Sequence, residues 1–478
     1  MAKELSMLQY LCDGQLPSRR RKLQMVVSLS VPAVLAQLST TIMQYIDAAM
    51  VGSLGANASA SIGLVSSSTW LLGGWCTAAV TGFSVQVAQF SGAREREKGR
   101  AVFCQSIIMA AVLGLTLALI GTGVSSFLPG WLGGKAEICG DASSYFFILC
   151  CALPSLQFRQ LAGGMLQCSG DIKTPSVLNI LMCGLDVLFN SLLIFPARHC
   201  ALFGWRFLVP GAGLGVKGAA LGTALADVVT ACLMLYAACI RSEHLRLDRS
   251  CSWKPDPLCW KTAARVSVPL AFEHFILCSA QIAATHIVAP LGTVAIAANS
   301  LAVTAESLCY MPGGGIGTAA TTLVGQSLGA GRRDMARRFA RLSVLLGVSV
   351  MTVTGLLMFL LAPYIFTILT PDPEVRLLGA RVLRIEAFAE PLFAASIVTA
   401  GALRGAGDTK IPSLLNFFSM WGVRITTASF LAPRIGLYGV WIAMCAELCI
   451  RGVLFLIRLL REKWLDQILI AESISKNK

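Results

Sequence analysis

Long apolar runs separated by short polar, basic stretches dominate the 478-residue chain. A helix needs about 20 apolar residues to cross the hydrocarbon of a bilayer. Twelve segments reach that length, near 23–51, 59–89, 102–128, 141–165, 175–196, 217–240, 262–289, 295–325, 338–367, 378–403, 412–433 and 438–460. The pattern therefore predicts an all-α membrane protein with twelve transmembrane helices.

Composition points the same way. Hydrophobic residues make up 55% of the chain and charged residues 13%, with a mean hydropathy of +0.70. A water-soluble chain carries charge on about a quarter of its residues, so the apolar surplus here faces lipid. The net charge of +14 comes from clusters between the spans, at 19–22, 94–100, 241–261 and 332–341. Such clusters mark the cytoplasmic side. The loops before segments 1, 3, 5, 7, 9 and 11 hold them or at least one lysine, although Arg376, Arg381 and Arg384 break the alternation. The expectation is a multi-pass plasma-membrane protein with both termini cytoplasmic. No basic stretch carries interleaved aromatics, which excludes nucleic acid as a partner. Most of the 17 cysteines fall inside apolar segments, without paired C-x-x-C spacing. They read as small buried hydrophobes, not as disulfides or metal ligands. The first 22 residues are too polar for a cleaved signal, and Met1 to Cys12 reads as a short interfacial helix.

An internal repeat organises the chain. Shifting the sequence so that Gly163 falls on Ala400 aligns GGMLQCSGDIKTPSVLN with AGALRGAGDTKIPSLLN. Nine of the 17 columns match, where typical residue frequencies give about one. The same ungapped shift puts Pro32 on Pro269, Gly55 on Gly292, Gln89-x-x-Gly92-Ala93 on Gln326-x-x-Gly329-Ala330, and Pro154 on Pro391. The sequence is a duplication. Segment 6 resumes the match with Gly218 on Gly439, so the first half carries extra residues around Phe195 to Gly213, expected on the outer side. Six spans return the chain to its starting side. The two halves thus share one orientation and are related by a pseudo-two-fold axis along the membrane normal, with the substrate path between them. The expected parts are a cytoplasmic segment 1–22, a six-helix lobe 23–240, a linker 241–261, a second six-helix lobe 262–461 and a tail 462–478.

Charged groups inside a membrane span are costly and mark function by default. Asp47, Asp186, Glu273, Glu306 and Glu390 all fall inside apolar segments, and Asn190 lies one turn after Asp186 on the same helix face. The prolines and glycines recur in both halves, as scaffold should, whereas the acids do not. Asp47 falls on Ala284, Glu273 on Ala36 and Asp186 on Val423. Asp47, Asp186, Asn190 and Glu273 are therefore the candidates for binding a coupling cation, H⁺ or Na⁺, with Na⁺ possible at Asp47. Glu306 and Glu390, as buried partners of Arg424 or as cavity acids, join Tyr45, Tyr310, Met311 and Trp421 as candidates for a substrate cavity. Asp227 and Glu447 read as structural. Met311-Pro312-Gly313-Gly314-Gly315 reads as a break or a close helix contact. Gly213 to Gly218 fits G-x-G-x-x-G, yet no βαβ unit surrounds it. No H-E-x-x-H, G-x-S-x-G or Walker pattern occurs, so neither an enzyme nor an ATP-driven pump is expected, and no cofactor.

These residues resemble the multidrug and toxic compound extrusion (MATE) family. Ser30-Val31-Pro32 leading to Asp47-Ala48-Ala49-Met50-Val51-Gly52-Ser53-Leu54-Gly55 looks like its first helix. Ala289-Pro290-Leu291-Gly292, Met311-Pro312 and Leu323-Val324-Gly325-Gln326 look like its helices 7 to 9, and Leu403-Arg404-Gly405-Ala406-Gly407-Asp408-Thr409 like the stretch after helix 10. The resemblance covers nearly the whole chain. It implies a two-lobed antiporter that exports organic, often cationic compounds in exchange for H⁺ or Na⁺; the expected partners are a small organic cation or amphipathic substrate and the lipid bilayer, and the expected state is a monomer. It also assigns Asp47 to the cation site of the amino-terminal lobe. The family's Asn-to-Asp spacing in helix 5 is reversed here as Asp186 and Asn190. A lipid-linked-precursor flippase of the same superfamily is the nearest rival. It would need an arginine-lined cleft, and Arg424 is the clear mid-span arginine. A membrane-embedded enzyme and a channel are further rivals.

Overall fold

The structure, a computed structural model, describes residues 18–202, 205–247, 253–467 and 469–470. The interfacial helix expected at Met1 to Cys12 lies outside them. With no water in the hydrocarbon region, an apolar segment must satisfy its backbone internally, and a helix does so. The first nine expected spans form α1 (Arg19–Gly52), α2 (Ala56–Gly92), α3 (Arg96–Val124), α4 (Ala136–Ser169), α5 (Lys173–Leu193), α6 (Val216–Tyr236), α7 (Pro257–Val288), α8 (Thr293–Gly329) and α9 (Arg333–Leu369). Among the described residues, ten helices are long and apolar enough to cross a membrane. Large apolar side chains stay exposed on them, such as Leu119 of α3 and Leu360 and Ile368 of α9, which is where lipid takes the place of water.

The tenth and eleventh spans are interrupted. Span 10 is split into α10 (Pro373–Ala387) and α11 (Glu390–Ala406). Pro391 supplies no N–H to carry the hydrogen-bond ladder across the junction. Span 11 runs through α12 (Lys410–Phe417), a π-helical stretch Phe418–Ile425, and α13 (Thr426–Ile435). Such π segments are rare and concentrate at functional sites. The last span, α14, covers Leu437–Leu460. The extra residues expected around Phe195 to Gly213 form an antiparallel hairpin, β1 (Pro196–Leu202) and β2 (Trp205–Ala212), with His199 opposite Leu208.

Packing sorts the chain into two compact units. One holds Met1–Leu38, Val85–Glu95 and Thr262–Lys478, and the other Ser39–Ser84 and Arg96–Lys261. The boundaries 23–240 and 262–461 therefore describe the duplication, while the packing assigns the first part of α1 and the last turns of α2 to the unit of the second repeat. The glycines of Met311-Pro312-Gly313-Gly314-Gly315 show why. α8 runs unbroken through them, and a Cβ on Gly315 would lie 2.6 Å from the backbone nitrogen of Val34 in α1. The sequence left a break or a close contact open; the structure shows the contact. On another face of α8, Gly401 and Gly405 of α11 lie against the backbone of Gly317 and Thr321, the small-residue spacing by which membrane helices approach. In the other unit, Gly218 opens α6 against the backbone of Leu193, and its counterpart Gly439 opens α14 against Leu431.

Candidate functional site

Among the described residues, three groups of buried acids within the spans stand out. In the unit of Ser39–Ser84 and Arg96–Lys261, α1 and α5 bring Asp47, Asp186 and Asn190 together. Asp186 is 0% exposed and Asn190 1%. A single nitrogen joins both acids: Asn190 Nδ2 donates to Asp47 Oδ1 at 2.9 Å and to Asp186 Oδ2 at 3.0 Å. The one-turn spacing from Asp186 to Asn190 puts carboxyl and amide on one face. α6 closes the group from behind, because Gly222 lets the Asn190 side chain approach its backbone; a Cβ there would fall 2.0 Å from Asn190 Oδ1. Thr223 of α6 and Tyr145 of α4 lie beside the carboxyls. Two buried oxygens, Asp186 Oδ1 and Asn190 Oδ1, have no hydrogen-bond partner. An uncompensated buried oxygen is costly, and carboxyl and amide oxygens suit a proton or a hard cation.

The second group belongs to Glu273 on α7. Its carboxylate accepts from Ser413 Oγ at 2.9 Å and Asn416 Nδ2 at 2.8 Å, both on α12, and Arg404 of α11 approaches to 3.5 Å. Ser413 and Asn416 come from the duplicated stretch that ends Pro-Ser-Leu-Leu-Asn. Its first-repeat counterpart ends in Asn179, which accepts instead from Arg159 at 3.2 Å, and Arg159 pairs with Asp227. One scaffold position thus serves an acid in one repeat and a guanidinium in the other. Asp227, expected from the sequence to be structural, is the acid of this pair.

The third group is the most acidic. Glu386 of α10 lies within electrostatic reach of Glu306 of α8, Glu390 of α11, Glu447 of α14 and Arg424; Glu306 also interacts with Glu390, Arg424 and Arg451. Glu386, Glu390 and Glu447 are all 0% exposed, and none of their carboxyl oxygens has a hydrogen-bond partner. Arg451 stands 3.3 Å from Glu447, one turn away, and 5.3 Å over the ring of Phe393, which packs on Tyr310. Arg424 turns its guanidinium onto the sulfur of Met444. Four buried carboxyls against two guanidinium groups leave a deficit of positive charge, and unbalanced charge is what a buried site cannot hold.

Of the sequence candidates, the structure brings together Asp47, Asp186 and Asn190, then Glu306 and Glu390 with Tyr310 nearby. Glu273 is held by a set of its own. Tyr45 and Met311 are half-buried, on α1 and α8, and Trp421 on the π stretch is 36% exposed. Glu386 and Arg451 are not among the sequence candidates, and Glu447 reads from the sequence as structural. Each carried a signal. Glu386 is an acid in an apolar run four residues before Glu390, and Glu447 with Arg451 has the spacing of a helical ion pair. Arg451 and Arg159 also join Arg424 as arginines within spans.

The MatE family profile matches residues 32–192 and again 269–429. The chain belongs to the MatE family. Its second match begins 237 positions after the first, the offset of the internal repeat, so each MatE half is one copy of the duplication. Over 461 residues the chain is 27% identical to a probable multidrug resistance protein NorM of Thermotoga maritima, covering 95% of each chain. It is 25% identical over 463 residues to the multidrug resistance protein MdtK of Edwardsiella ictaluri, covering 94% of this chain and 96% of that one. The fold matches a crystal structure of a MATE protein in complex with MaL6 at a TM-score of 0.85 and 21% identity, over 96% of this chain and 99% of the other. A MOP superfamily transporter from Pyrococcus furiosus matches at 0.85 and 20%, over 96% and 98%. This MatE chain is thus a multi-pass helical membrane protein with the two-lobed MATE fold.

Proposed function

We propose that this chain exports organic, often cationic compounds in exchange for H⁺ or Na⁺, and that Asp47, Asp186 and Asn190 hold the coupling ion. The observation that carries the reading is one amide nitrogen shared by two carboxyls inside apolar spans, with two further buried oxygens left for a ligand. The site has no copy in the second repeat, so it is not demanded by the duplicated scaffold. The names of the NorM and MdtK relatives support drug extrusion. The four-glutamate group sets carboxyls near the aromatic rings of Tyr310 and Phe393, so that a carboxyl ionised as the compound binds, together with the ring faces, would attract an amphipathic organic cation.

The energetics suffice. One pH unit supplies about 1.4 kcal/mol, and each charge moved through 100 mV about 2.3 kcal/mol. A tenfold substrate gradient costs about 1.4 kcal/mol, so one ion can sustain it. Both termini then face the cytoplasm, following the distribution of Lys and Arg, and the transporter works in the plasma membrane. The test is efflux of a fluorescent organic cation from proteoliposomes under imposed pH or Na⁺ gradients. Transport collapses when the driving gradient is removed, and Asp47→Asn uncouples it. Full gradient-driven efflux by Asp47→Asn would falsify the assignment.

A further inference from the structure

The two copies of one repeated motif touch. Gln89-x-x-Gly92 ends α2 and Gln326-x-x-Gly329 ends α8. A Cβ on Gly92 would fall 1.9 Å from the carbonyl oxygen of Gln326, and one on Gly329 would fall 1.8 Å from that of Gln89. Each glycine lies on the other copy's glutamine, the reciprocity that a two-fold contact produces. Only glycine permits this approach.

The contact is not left to itself. Gln89 is 0% exposed, and its side chain is engaged at both ends. Its Nε2 donates to the carbonyl oxygen of Gly405 on α11 at 3.4 Å, and its Oε1 accepts from the backbone N–H of Leu469 at 3.0 Å. Leu469 belongs to the stretch that follows α14. That stretch makes a 3₁₀ turn at Lys463–Asp466 and buries the side chains of Trp464 (1% exposed), Leu465 (4%) and Ile470 (1%). The Leu469 side chain lies against Gly407, where φ is +86° and a Cβ would meet it at 2.6 Å. On the outside, Asp466 pairs with Arg333 at 2.7 Å, and Glu462 pairs with Arg337 at 2.7 Å and Arg341 at 3.0 Å, all at the start of α9.

We propose that this stretch after α14 is a latch, which holds the ends of α2 and α8 in contact and must leave Gln89 before they part. Close glycine contacts contribute only weak Cα–H···O and van der Waals terms. A buried carboxamide that loses its partner, in contrast, keeps the full cost of desolvation. The seated latch therefore favours the closed junction, and releasing it favours the open one. The inference concerns what holds the junction and goes beyond what is transported; it stands whichever compound is carried.

Amide hydrogen exchange on the full-length protein in lipid nanodiscs tests it, in the unaltered chain and in Leu469→Ala, Asp466→Lys and Gly92→Ala. Asp466 is well exposed at 67%, so Asp466→Lys provides a variant that still folds if Leu469→Ala does not. The latch predicts that amides at 85–92 exchange about tenfold faster in Leu469→Ala and about threefold faster in Asp466→Lys. Gly92→Ala, which forces the junction apart, should also expose amides at 463–467. Faster exchange confined to 463–467 in the two latch variants overturns the proposal. So does a Gly92→Ala protein whose 463–467 amides stay protected.

Discussion

At the scale of single residues, the hydrogen-bond inventory separates the groups that the fold has satisfied from those it has left open. Glu273 has a partner on each carboxyl oxygen, whereas Asp186 Oδ1 and Asn190 Oδ1 have none. Asn190→Ala removes the nitrogen that bridges Asp47 and Asp186. It is expected to cost about 1–3 kcal/mol in stability, read as a lower unfolding temperature, and to slow gradient-driven efflux at least as much as it lowers affinity for the exported compound. A variant with unchanged efflux would show that the bridge is packing alone. A second residue gives a pH prediction outside the membrane. Burial, followed by the Arg96 guanidinium, holds the His244 imidazole below its ordinary value of 6.5; Glu243 opposes the shift and Arg100 reinforces it. A histidine held low favours its neutral form in the folded protein, so its contribution is present above the unfolded value and fades as pH falls below it. Stability should decline on acidification below about pH 6.5, and His244→Gln should flatten that part of the curve.

At the scale of the elements, interruptions and close approaches carry more information than helix content. Every apolar segment read from the sequence is helical, but spans 10 and 11 are broken where Pro391 follows Glu390 and where Phe418–Ile425 widens into a π stretch. Both breaks lie beside the four-glutamate group: Glu390 opens α11, and Arg424 sits in the π stretch. The unbroken α8, by contrast, uses its glycines for contact. Gly315→Leu would drive four carbons into the backbone of α1 at Val34. Overpacking of this kind costs about 1–3 kcal/mol and should appear as a lower unfolding temperature, with little change in Gly314→Ala, whose Cβ would meet only the end of the Gln37 side chain at 3.3 Å. Equal effects at the two positions would mean that α1 and α8 are not held at this distance.

At the scale of the whole molecule, the polar groups are divided between the compact units. Asp47, Asp186 and Asn190 belong to one, and Glu273 and the four glutamates to the other. The division predicts separable phenotypes. Glu390→Gln should weaken the apparent affinity for an organic cation about tenfold, a difference of about 1.4 kcal/mol, and leave the residual efflux dependent on the gradient. Asp47→Asn should do the reverse. Loss of gradient dependence in Glu390→Gln would assign coupling to the glutamate group instead.

The sequence by itself determined the class of molecule, its twelve apolar segments, its duplication and its acids within the membrane. Spanning lipid demands long apolar segments, an acid inside one stands out because it is costly there, and a constant offset between repeats needs no coordinates to be seen. It placed Asp186 and Asn190 on one face because that follows from helical spacing. Only the tertiary structure decided that Asn190 turns to Asp47, that Glu386 and Glu447 join Glu306 and Glu390, and that the repeated glutamine–glycine motifs meet. These depend on how each helix is rotated about its axis. A segment that is apolar on every side, facing lipid in one direction and protein in another, leaves no hydrophobic stripe from which that rotation can be read.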